Sequence, residues 1–268
     1  MMFDLFEQGF LMRGFISGLL ISISAALIGT SLVLRRNAMI GDGLSHVGFG
    51  AFAIATVMNF APLEFAMPVV ILTSFLILRL NGQSKVQPDA AIAMVSAGAL
   101  ALGTFAISIT RGVNTDINNY LFGSILSISE ADLVLSLIFS ILVIVIFLSC
   151  YNKIFALTFD ENFAKSIGIK TNFYNAIFAV LCSIVVVLGM RLMGALLISS
   201  LIIFPTMSAM QMVKSFKRVI ILSILVSIIC FMSGMWISYG LSTPTGSTIV
   251  LANVILFMAV RLIRWIQK

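Results

Sequence analysis

Long apolar stretches recur along nearly the whole chain, at about 14–34, 39–58, 63–80, 89–110, 131–150, 173–190, 192–212, 218–239 and 247–264. Crossing a hydrocarbon layer takes roughly 20 mostly apolar residues per helix, and these stretches approach that length one after another. Only 10% of the 268 residues are charged, against about 25% in soluble domains. The reading is an all-α, polytopic membrane helix bundle with eight or nine spans. The count turns on 172–212, where only Gly189, Met190 and Arg191 interrupt the run. That segment is either two spans or one span with a shorter re-entrant element.

With nine spans, Arg35, Arg36, Arg79, Lys85, Lys153, Lys165, Lys170, Lys214, Lys217, Arg218, Arg261, Arg264 and Lys268 fall on one side, and Arg13, Arg111 and Arg191 on the other. Basic residues accumulate on the cytoplasmic face, which predicts an N-terminus outside and a C-terminus in the cytoplasm. The net charge of +6 then reflects orientation in the bilayer and implies no nucleic-acid partner. Cys150, Cys182 and Cys230 lie in apolar stretches without a C-x-x-C pair and read as small buried hydrophobes. No basic region precedes the first apolar run and no small-residue cleavage site follows it, so a removable leader is not expected.

A single domain, 1–268, is the natural unit, with two connections long enough to carry function. One runs from Arg111 to Glu130, the other from Tyr151 to Thr171. In the second, Thr158-Phe-Asp-Glu161 has the spacing of a capping box, and Gly168 is the residue type that commonly ends a helix. Phe159, Phe163 and Ile167 recur every four residues between them, forming one apolar stripe on a short helix. Such a stripe either docks into another protein or lies against the membrane interface or the protein's own helix ends.

The second span holds the only histidine. Asp42 and His46 are four apart and share a helix face, and an Asp at the centre of a span costs roughly 2.5–3.5 kcal/mol on insertion scales. Gly41, Gly43, Ser45, Gly48, Gly50 and Ala51 surround the pair; small residues allow close helix packing, so this span is expected in the middle of the bundle. A carboxylate and an imidazole suit zinc, manganese or iron. The alternative is an Asp–His contact that fixes packing and binds nothing. One chain cannot supply several histidines, but a symmetric dimer would bring two Asp and two His to its axis. Met207, Met210 and Met212 raise a thioether copper site as another reading, against their use as gap-fillers near the end of a span.

These residues resemble the permease subunits of zinc- and manganese-type ABC importers. Arg35-Arg-Asn37 followed by Ile40-Gly-Asp-Gly-Leu-Ser-His46 is similar to the family's second-span signature, in which the Asp and His are associated with the metal path. Leu121-Phe-Gly-Ser-Ile-Leu126 with Glu130-Ala-Asp132 resembles its outer loop. Phe159-Asp-Glu-Asn-Phe-Ala-Lys-Ser-Ile-Gly168 resembles its cytoplasmic coupling helix, which sits in a groove of the ATPase. Gly194–Pro205 and Pro244–Val250 also match family segments.

The resemblance implies Asp42 and His46 as metal contacts, and Phe159, Asp160, Glu161, Phe163, Ala164, Ile167 and Gly168 as the ATPase-coupling element. It also implies a homodimer in the prokaryotic cytoplasmic membrane, two ATP-binding cassette subunits that hold the ATP, and an extracytoplasmic metal-binding protein. No cofactor is implied for this chain beyond the transported ion, and it contains no G-x-x-x-x-G-K-[ST] phosphate loop. It departs from the family at Val47-Gly-Phe-Gly50, where many relatives carry a proline-containing run, and after Pro205, where relatives are richer in Ala and Arg. The remaining alternatives are a siderophore- or cobalamin-type permease and an ion-coupled secondary transporter. An intramembrane metalloenzyme would need an H-E-x-x-H pattern that is not in the sequence.

Overall fold

The computed structural model describes residues 9–81, 87–110, 123 and 128–267, and among these every regular element is an α-helix. In order they are α1 (Gly9–Leu34), α2 (Met39–Val57), α3 (Pro62–Asn81), α4 (Pro88–Ile109), α5 (Glu130–Ser149), α6 (Tyr151–Phe159), α7 (Glu161–Ser166), α8 (Thr171–Met193), α9 (Ala195–Met212), α10 (Phe216–Leu241) and α11 (Thr245–Ile266). All except α6 and α7 are long and apolar enough to cross a bilayer. The stretch 172–212 is two such helices, broken at Gly194, whose φ of 88° suits a residue without a Cβ.

Local chemistry sets several boundaries. Gln87 is extended and Pro88 opens α4, where its missing N–H costs nothing. A reciprocal cap starts α5: Asp132 N donates to Ser129 Oγ at 3.2 Å and Ser129 N to Asp132 Oδ2 at 3.4 Å. Several buried hydroxyls bond back to their own helices, as Thr30 does to Ala26 O at 2.9 Å. That habit matters in hydrocarbon, where water cannot satisfy a polar group.

The most enclosed helices are α1 and α8, followed by α2. The outer positions belong to α3, α4, α5 and α11, whose Leu72, Phe105, Ile138 and Ile255 are exposed. An apolar belt of this extent is a liability in water and the normal outer surface in lipid.

Cross-helix contacts sort the helix ends into two faces: Arg35 meets Thr158 and Asn175, Tyr151 and Phe159 meet Phe216, and Arg264 meets Gln211 at one, while Glu130 and Asp132 meet Arg13 and Arg191 at the other. Arg35, Arg36, Arg79, Lys153, Lys165, Lys170, Lys214, Lys217, Arg218, Arg261 and Arg264 share one face. Arg13 and Arg191 stand at the other, and both are paired there, Arg13 with Glu130 at 3.0 Å and Arg191 with Asp132 at 2.8 Å. Lys85, Arg111 and Lys268 lie outside the described residues. So does most of the 111–130 connection, although Gly123 abuts the α8–α9 junction, where an added Cβ would lie 2.1 Å from Met193 C.

Candidate metal site and coupling surface

A tight turn leads into α2: Arg36 takes a left-handed conformation, φ 60°, and Asn37 N donates to Leu32 O at 2.9 Å. No side chain caps the helix at Ala38, and Asp42 falls in its first turn, where a carboxylate opposes the positive end of the helix dipole. Asp42 is therefore near a helix end and not at mid-span.

Four glycines let α2 into the middle of the bundle, as the small-residue pattern predicts. A Cβ on Gly50 would lie 2.4 Å from Ala99 O, one on Gly43 2.4 Å from Ile92 Cγ2, one on Gly41 2.9 Å from Ile202 Cδ1 and one on Gly48 2.9 Å from Met190 Cε. Facing helices approach backbone to side chain on three flanks, from α4, α9 and α8. Between residues 40 and 53 only Asp42 and His46 are not buried. The pair thus occupies the one open strip of the otherwise enclosed stretch 40–53 of α2.

His46 Nε2 lies 3.7 Å from Asp42 Oδ2, and both side chains are about one-third exposed, 30% and 37%. That separation is too long for a hydrogen bond. It is close to the roughly 3.4 Å between two ligand atoms held about 2.0–2.2 Å from one tetrahedral ion. His46 Nδ1 is buried and has no hydrogen-bond partner among the described residues. Ser45 Oγ donates to Asp42 O at 2.7 Å and lies 3.4 Å from Ser199 Oγ on α9. Among the described residues no group of three His, Cys, Asp or Glu forms; Asp42 and His46 are a pair without a third such side chain there. Met207, Met210 and Met212 sit at the end of α9, with Met207 and Met212 exposed.

Segment 158–168 differs from its expected form. Thr158 and Glu161 do not make a capping box: Thr158 is inside α6, with its hydroxyl bonded to Ile154 O at 2.7 Å. The chain breaks at Asp160, which is extended and caps α7 itself by accepting from Phe163 N at 2.9 Å. Phe159 accordingly ends α6, while Phe163 is on α7 and Ile167 follows it as the C-cap, so the three do not share one helix. All three are nonetheless exposed. Phe159 also packs on Phe155 and Phe216, with ring centroids 5.0 and 5.8 Å away. Ala164 is buried and Glu161 pairs with Lys165 at 3.1 Å. Gly168 ends the helix as expected, at φ 84°, with Gly168 N donating to Lys165 O and Ile169 N to Ala164 O, the pairing of a Schellman motif.

Arg35 ties this segment to the bundle, a role its place in a basic turn did not suggest. Its Nη1 donates to Asn175 Oδ1 at 2.9 Å, its Nε to Thr158 Oγ1 at 3.4 Å, and its guanidinium lies 5.0 Å from the Phe178 ring centroid. Burial pushes its pKa down to about 10, opposed by the charge of Glu161. At neutral pH it remains a cation joining α1, α6 and α8.

The model of the ABC 3 transport family matches residues 7–264. The chain is 29% identical over 249 residues to the manganese import system permease protein ScaB of Streptococcus gordonii, covering 93% of this chain and 89% of that one. It is 30% identical over 244 residues to the high-affinity zinc uptake system membrane protein ZnuB of Buchnera aphidicola, covering 90% and 92%. The solved PsaBC of Streptococcus pneumoniae, in complex with Fab, superimposes with a TM-score of 0.85 at 26% identity, over 97% of this chain and 95% of that one. With the family match running almost end to end, the chain belongs to the ABC 3 transport family.

Proposed function

We propose that this chain is the membrane-spanning permease subunit of an ATP-driven importer for a divalent metal ion, zinc or manganese. The observation that carries the reading is the Asp42–His46 pair on the one open strip of α2, spaced as two ligands of one ion. Relatives of nearly equal length named for manganese and zinc import support the same cargo.

In this reading the chain is one transmembrane domain that works as a homodimer. Two copies of the pair supply the four ligands a tetrahedral ion takes. The basic face lies in the cytoplasm, so the N-terminus is outside and the C-terminus inside. Phe159, Phe163 and Ile167 are the exposed apolar contacts for a cytoplasmic ATP-binding cassette subunit, and an extracytoplasmic binding protein delivers the metal to the opposite face. The chain itself holds no cofactor; ATP belongs to the partner, whose cycle biases the bundle between two states.

The test is uptake of zinc, manganese and iron by cells lacking this gene and by cells in which it is restored. Restored uptake of zinc or manganese that requires the ATPase subunit supports the reading. Uptake unchanged by deletion for every ion of the panel ends it.

A further inference from the structure

No Asp or Glu follows Glu161 in the sequence, so α9, α10, α11 and their connections are without a single acid. Yet Lys214, Lys217, Arg218, Arg261 and Arg264 gather at one end of these three helices, and all five are exposed. Positive charge is thus concentrated where this part of the fold offers it no counter-charge.

Two of these side chains line a cleft of about 350 Å³, Arg261 and Arg264, together with Gln211 and Trp265. Arg261, Arg264 and Trp265 are spaced to share one face of α11. Arg264 donates through Nη1 to the backbone oxygen of Gln211 at the end of α9, which holds one guanidinium at the cleft wall. Arg261 makes no ion pair or hydrogen bond with any described residue. Below them Leu251, Ile255, Met258 and Leu262, all exposed, run along α11 at helical spacing towards Trp265, which is 75% exposed.

We infer that this cleft binds the headgroup phosphate of an anionic phospholipid, with its acyl chains along the 251–262 strip. The planar guanidinium fork matches phosphate oxygens. Tryptophan settles at the level of lipid headgroups, and basic pockets at a membrane face favour anionic lipid. The inference rests on the chain being membrane-spanning and is independent of which ion, if any, it carries.

Trp236 and Trp265 are the only tryptophans, and they lie near opposite ends of the bundle. Trp236→Phe therefore leaves Trp265 as a sole reporter. The full chain carrying this change, in phosphatidylcholine vesicles, is quenched with brominated phosphatidylglycerol or with brominated phosphatidylcholine at equal mole fraction. We expect roughly tenfold preferential association of the anionic lipid, falling to about twofold or less in Arg261→Gln/Arg264→Gln and to an intermediate value in Arg261→Lys, which keeps the charge without the fork. An unchanged thermal unfolding profile shows that the double variant is folded.

Equal quenching by the two lipids, or a preference that survives the double variant, overturns the proposal. So does relief of quenching by soluble glycerol phosphate at matched ionic strength, which would mean that the cleft takes phosphate from solution. If the double variant instead loses the ATPase subunit in a pull-down while its lipid preference persists, the cleft is a protein contact and the lipid assignment falls.

Discussion

Arg191 at the end of α8 holds Asp132 in the first turn of α5 through two nitrogens, Nε and Nη2, each 2.8 Å from Oδ1. The same carboxylate caps α5 through its other oxygen, and its side chain is only 12% exposed. Asp132→Ala removes both interactions and is expected to cost about 1–3 kcal/mol. Arg191→Gln should cost less, and the double variant should fall short of the sum. Denaturant unfolding in detergent measures all three, and strict additivity would show that the pair does not couple the two helices.

At Gly50 the backbones of α2 and α4 come together, and a Cβ on Gly103 would lie 2.8 Å from Gly50 Cα. Gly50→Val forces these helices apart and should lower stability by about 1–3 kcal/mol or more. Gly98 has no atom within 4 Å of an added Cβ, so Gly98→Ala is the neutral control. A similar melting temperature for both variants would contradict the close approach.

The break at Asp160 makes a prediction that separates two caps. Asp160→Ala should weaken α7 by about 1 kcal/mol and reduce ATPase binding, whereas a Glu161→Gln variant should leave the cap intact. Phe163→Asp, which places an unpaired charge in the proposed contact, should preserve folding and abolish association in a pull-down. Normal association of a well-expressed Phe163→Asp protein would remove this helix from the coupling role.

If the metal path runs by α2, Asp42→Ala and His46→Ala abolish uptake with expression and ATPase binding intact. Imidazole binds a metal only as the neutral base, so protonation competes and metal binding should weaken on acidification. Isothermal titration across a pH series reads this directly. Near-normal transport by Asp42→Asn and His46→Gln, which keep shape and polarity, would assign the pair to packing.

Single cysteines placed at Lys153 and Lys214 should be reached by a membrane-impermeant thiol reagent only from the cytoplasmic side, and one at Ser247 only from outside. Reaction at Lys153 from outside inverts the proposed orientation.

Much of this architecture was legible in the sequence because lipid imposes a harsh local rule: each crossing must satisfy its own backbone within roughly 20 apolar residues. The helix positions follow from that rule to within a few residues, and the glycines flanking Asp42 and His46 announced the close packing of α2 for the same reason. Segment 158–168 was harder. Thr158-x-x-Glu161 carries a cap pattern, but Thr158 is held by Ile154 O and Arg35 inside α6, and the extended backbone at Asp160 moves the cap two residues on. Two membrane-length helices at 172–212, the depth of Asp42 in the first turn of α2, and the ties of Arg35 to Asn175 and Arg191 to Asp132 were decided only in three dimensions. Those contacts join residues 140 and 59 positions apart, and only the packing of the helices brings such partners within reach of one another.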